Sequence, residues 1–138
     1  MKYALLIYSQ STAEEYAGLV AAARQAAGDA GDAAPAGPAN GPWVDYTRAA
    51  REAGVLIGAE QLTHSETATS VRVSNGDRVI TDGPFMETKE HLLGFYLVDV
   101  DDLDAALDWA QRMPAHPGQT VEVRAALSGL PWQRALTG

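Results

Sequence analysis

The chain contains no cysteine. Disulfides, cysteine-based zinc sites, iron–sulfur clusters and cysteine nucleophiles are therefore excluded, and any chemistry must run on carboxylates, histidine, lysine and arginine. Basic residues are scarce: Lys+Arg is 10 against 18 for Asp+Glu, a formal net charge of −8. That balance disfavours nucleic acid and anionic membrane as partners, because both select basic faces. No run approaches the ~18 consecutive apolar residues that span a bilayer. The opening stretch, Met1 to Tyr8, is too short for the apolar region of a signal peptide, and no lipidation motif closes the chain. The expectation is a soluble, cytoplasmic protein. No Walker loop, G-x-S-x-G elbow or dinucleotide fingerprint occurs, so nucleotide and acyl-serine chemistry have no support. No two of the three histidines share a metal-binding spacing such as H-x-x-x-H, and neither a metal nor another cofactor is expected.

What is present suits one globular domain over residues 1–138. At 138 residues with 46% hydrophobic content, the chain can bury a core of its own. Tyr3 to Tyr8 is a short apolar run, read as a strand buried on both faces and central in its sheet. Thr12 and Glu15 have the spacing of a capping box, and Tyr16, Leu19, Val20, Ala23 and Ala27 recur at helical intervals. Residues 28–41 are entirely Gly, Ala, Asp, Pro and Asn, which predicts a flexible loop, either a tolerated surface insertion or a lid. Pro42 suits a first helical position before Trp43, Tyr46, Ala50 and Ala53, with Gly54 closing the helix.

Val55 to Leu62 reads as a strand. Thr69 to Val73 and Arg78 to Thr81 flank Asn75-Gly76, a strong hairpin signal. Gly94 to Val100 is a further strand, and Asp101 and Asp102 precede a helical stripe of Leu103, Ala106, Leu107, Ala110 and Met113. Thr120 to Leu127 alternates as a last strand. The order predicts an α+β fold, a ferredoxin-like βαββαβ unit with an additional hairpin. Helices on one face of an open sheet leave the other face to be covered, which a homodimer would do.

Chemistry concentrates in Asp82 to His91, which packs three carboxylates, a lysine, a hydroxyl and an imidazole between two strands. The segment reads either as a rigid turn capped by Asp82 or as a cleft where Asp82 and Lys89 serve acid–base work. His64 follows a strand end, His91 adjoins this segment, and His116 lies between prolines. Glu122 and Arg124 alternate with valines, as a cross-strand ion pair or as an anion clamp. Trp43, Trp109 and Trp132 suit core or interface positions.

The string Asp82-Gly83-Pro84-Phe85, one variable residue, then Glu87-Thr88-Lys89-Glu90 resembles the signature of the DGPF branch of the YCII-related family. Met1 to Tyr8, Gly58-Ala59-Glu60-Gln61-Leu62, Gly94-Phe95-Tyr96 and Val121-Glu122-Val123-Arg124 match it too. The resemblance implies a dimeric α+β barrel, with two ferredoxin-like sheets facing each other, and enzymatic, small-molecule-binding or sigma-factor-linked regulatory roles. YCII-branch members pair a helical histidine with a later aspartate. Here the Trp43–Ala53 helix has no histidine and Met113-Pro114-Ala115-His116 no aspartate, so that dyad does not carry over. The expected site is therefore Asp82 and His64 as catalytic base candidates, with Glu60, Lys89, Tyr96 and Arg124 binding a small organic acid or phenol-like ligand. A non-catalytic interaction protein is the alternative.

Overall fold

Strand β1 (Lys2–Ser9) is central in a four-stranded antiparallel sheet because its alternate residues serve two faces. Tyr3, Leu5 and Ile7 are buried toward the helices, while Ala4, Leu6 and Tyr8 are half-buried on the opposite face. The strand expected to be buried on both faces is thus fully covered on one. The computed structural model describes residues 1–27 and 41–137. β1 pairs with β5 (His91–Asp99) on one side and β6 (Gln119–Ala125) on the other, and β5 pairs with β2 (Leu56–Gln61). The sheet order is β2-β5-β1-β6. Helices α1 (Ala13–Ala27) and α2 (Pro42–Glu52) connect β1 to β2, and α3 (Leu103–Gln111) connects β5 to β6. This is the ferredoxin-like α+β arrangement. The additional hairpin, β3 (Thr69–Ser74) and β4 (Asp77–Asp82), forms a separate two-stranded sheet.

Local chemistry sets the boundaries. Thr12 Oγ1 accepts from the Glu15 N–H at 3.2 Å, and the Thr12 hydroxyl donates to Glu15 Oε1 at 3.1 Å, so the predicted capping pair closes side chain to side chain. Asp102 caps α3 through the Ala105 N–H at 2.9 Å. Asn75 at φ 49° and Gly76 at φ 86° supply the two left-handed residues that a tight hairpin turn needs. β5 starts at His91, three residues before the expected Gly94. A bulge after Ile7–Gly94 re-pairs Tyr8 with Leu92 and Ser9 with His91. β6 stops at Ala125, and a 3-10 turn at Pro131–Leu136 was not anticipated. The predicted loop at 28–41 lies outside the described residues except Gly41, which precedes α2.

The core forms where α2 and α3 meet the helix-side residues of β1 and β5: Leu5, Val98, Tyr46, Ala50, Ala106, Trp109 and Met113. Trp109 is core as expected, Trp43 packs against it half-buried, and Trp132 is 62% exposed. Among the described residues no helix is long and apolar enough to cross a membrane.

Candidate functional site

Helix α1 turns Tyr16, Leu19, Val20 and Ala23 toward the sheet without filling the space above it. The volume it leaves unfilled is a cavity of about 550 Å³ between α1, the start of α2 and the helix-side face of the sheet. That size suits a small organic ligand. Its apolar wall comes from Ile7, Leu19, Val20, Trp43, Val44, Ala59, Leu93 and Tyr96. The bulge at Ile7 turns Leu93 inward beside Gly94, so two consecutive β5 residues line one side. Polar groups are few: Tyr16, Glu60, Gln61, His116 and Gln119. Among the described residues the lining holds no lysine or arginine.

Hydrogen bonds fix the two phenols. The Thr47 hydroxyl donates to the Trp43 carbonyl at 2.8 Å and accepts from the Tyr96 hydroxyl at 2.6 Å. Burial pushes the Tyr96 phenol above its ordinary pKa, against a smaller opposing effect of the Thr47 contact. Tyr16 donates to the Leu62 carbonyl at 2.6 Å and accepts from the Gln61 side-chain amide at 2.9 Å. Behind the wall, Tyr46 makes edge contacts with Trp43, Tyr96 and Trp109 at ring separations of 5.9, 5.4 and 6.0 Å. Its hydroxyl donates to the Trp109 carbonyl at 2.8 Å. Burial, and then the neighbouring Tyr96 phenol, raise the Tyr46 pKa, while Arg112 partly opposes. The aromatic wall is therefore rigid and uncharged at neutral pH.

Of the residues expected at a site, Glu60 and Tyr96 line this cavity. Glu60 sits opposite Phe95, on the strand face turned away from the helices, so it forms the cavity's edge rather than its floor. Asp82, His64, Lys89 and Arg124 do not line it. Asp82 is exposed at the end of β4, and Lys89 is exposed before β5. Arg124 bonds Glu122 at 2.7 Å, an ion pair within β6 rather than across strands, with the arginine largely exposed and the glutamate half-buried.

His64 is 4% exposed, and both ring nitrogens are engaged. Nδ1 accepts from the Glu66 N–H at 3.2 Å, which leaves the proton on Nε2 to donate to the Ser11 carbonyl at 3.0 Å. The ring ties the β1–α1 connection to a 3-10 turn at Ser65–Thr67, and use as a base requires one bond to open. The His91 ring lies 4.3 Å from it, with Nδ1 2.5 Å from Ser65 Oγ. Among the described residues no group of three His, Asp or Glu is placed to hold a metal ion.

The residues that sequence reasoning missed are Tyr16, Gln61 and the Trp43–Thr47 pair. Their one signal in the sequence is the helical recurrence of Tyr16, Leu19, Val20 and Ala23, which gives α1 an apolar face toward Trp43 and Tyr96.

Fold and cavity together define a ferredoxin-like α+β protein with a ligand-sized pocket on the helix side of its sheet. The sequence pattern of the YCII-related domain matches residues 1–128. The chain belongs to the YCII-related family. It is also similar to an uncharacterised protein of Rhizobium meliloti (strain 1021), 50% identical over 60 residues that make up 44% of this chain and 48% of that protein. The chain thus aligns with about half the length of that curated relative.

Proposed function

We propose that the protein binds a small, neutral, aromatic molecule of phenol-like type in the cavity beside Trp43 and Tyr96, and that it does so as a homodimer. The cavity's lining carries the reading: rings and aliphatic side chains form its walls, and neutral hydrogen-bonding groups stand at Gln61, Tyr16 and Gln119. An organic acid is less well served, because a buried carboxylate needs a cation and the described lining offers no lysine or arginine. The string Asp82-Gly83-Pro84-Phe85 with Glu87 to Glu90 supports placement in the DGPF branch.

Binding is tested by thermal shift across matched phenols and benzoates. A phenol at 100 times its Kd stabilises by about 2.7 kcal/mol, and the matched benzoate shifts the midpoint less. Val20→Trp, which fills the cavity from α1, abolishes the shift. Equal responses to both series, or a shift unchanged by Val20→Trp, would sink the proposal.

The homodimer rests on the second sheet face. Leu6, Tyr8, Phe95 and Leu97 stand there half-buried in one chain, on the side opposite the core helices. A second copy covers them face to face, and Leu6→Glu dissociates that dimer in sedimentation while leaving the core intact.

A further inference from the structure

We propose that strand β4 pairs with β4 of a second copy of this chain, antiparallel across a two-fold axis at Ile80. Every residue of β4 is exposed, and a two-stranded hairpin is marginal in water by itself. The ladder sets Val71 opposite Ile80 and Val73 opposite Arg78 on one face, where Val71, Val73 and Ile80 are 59%, 63% and 72% exposed. An apolar face of that kind on an unpaired strand edge is a template for another chain.

The sequence of β4 selects which chain. With the axis at Ile80, Ile80 meets its own copy, Arg78 meets Asp82 of the second copy, and Asp82 meets Arg78 of the second copy. All three residues project from the same face, because they alternate along the strand. The product is a four-stranded sheet with an unbroken row of Val71, Ile80, Ile80 and Val71, flanked on each side by an ion pair. Moving the axis one residue either way sets Ile80 against Arg78 or against Asp82 and loses both charge pairs. The outer strand β3 has no such complement, since its one charged residue is Arg72. This contact is separate from the sheet-face dimer proposed above.

The absence of cysteine makes the test clean. Directly opposed residues of an antiparallel pair lie within disulfide reach, so I80C oxidises to a discrete covalent dimer. V73C, similarly exposed but on the outer strand, oxidises more slowly. The double variants R78D/I80C and D82R/I80C each place like charges opposite one another. Mixed together, they are complementary. The expected result is an excess of the mixed disulfide of about fivefold over the statistical yield relative to the two self-pairs, given two cross-strand ion pairs. The measurement is run in wild type and in the Leu6→Glu background, which separates this contact from the sheet-face dimer. A statistical mixture would overturn the proposal, and so would I80C oxidising no faster than V73C. The second comparison needs no charge variant to fold.

Discussion

Replacing Tyr46 by Phe removes one oxygen from the centre of the aromatic cluster and leaves every ring contact in place. The hydroxyl donates to the Trp109 carbonyl at 2.8 Å, and Tyr46 is 6% exposed, so water does not easily replace it. Leaving that carbonyl without its partner costs about 1–3 kcal/mol at neutral pH. The pH dependence then carries the sharper test. The Tyr46 pKa is raised by burial in the folded chain, so the unfolded chain loses this proton first, near about pH 10. A group whose folded pKa is raised stabilises fully below the unfolded pKa and loses that contribution as pH climbs toward the folded value. Wild type therefore loses up to about 1.4 kcal/mol per pH unit above pH 10 through this phenol, and Tyr46→Phe does not. The advantage of wild type closes within about one to two pH units and then reverses. Urea denaturation of both proteins from neutral pH to about pH 12 reads the crossing, with Tyr96 common to both. A gap that stays constant across that range would refute the reasoning, as would a variant equal to wild type at neutral pH.

Gly94→Ala brings a Cβ to 2.8 Å from the Glu60 carbonyl oxygen, a backbone atom of the adjacent strand, and costs about 1–3 kcal/mol in chemical denaturation. Because Gly94 also lines the cavity, the same variant weakens phenol binding in the thermal-shift assay. Asp102→Ala removes the cap on the Ala105 N–H and costs about 1 kcal/mol, seen as a lower urea midpoint with unchanged slope.

Much of the fold was legible because its signals are local. Asn75-Gly76 specifies a hairpin turn through two left-handed residues, and Thr12, Pro42 and Asp102 each mark a helix start within one turn. The start of β5 was not legible, since the bulge opposite Ile7 is decided by pairing with β1 rather than by the composition of His91 to Gly94. The cavity was less legible still. It lies where Leu19, Val20 and Ala23 of α1 stand opposite Trp43 and Tyr96, and neither set signals a pocket until the chain brings them together. His64 shows the same limit. Its Nε2–H donates to the carbonyl of Ser11, 53 residues away, and nothing near His64 in sequence announces that bond.

The signature segment poses the opposite case, a strong sequence signal whose observed contacts are structural. Gly83 has φ 101°, a conformation that favours glycine, and its N–H bonds the Ala68 carbonyl at 2.6 Å. The Ser70 hydroxyl closes on the Gly83 carbonyl at 2.8 Å. Together these bonds tie the end of β4 to the start of β3, and so hold Asp82 at a defined place on an exposed strand. That placement is what pairing with Arg78 of a second copy requires. A general base has the contrary requirement: a guanidinium beside a carboxylate favours its charged form and so makes it a weaker base. Pairing through β4 and base chemistry at Asp82 therefore compete for one side chain. The cavity beside Trp43 and Tyr96, which Asp82 does not line, stands apart from that competition.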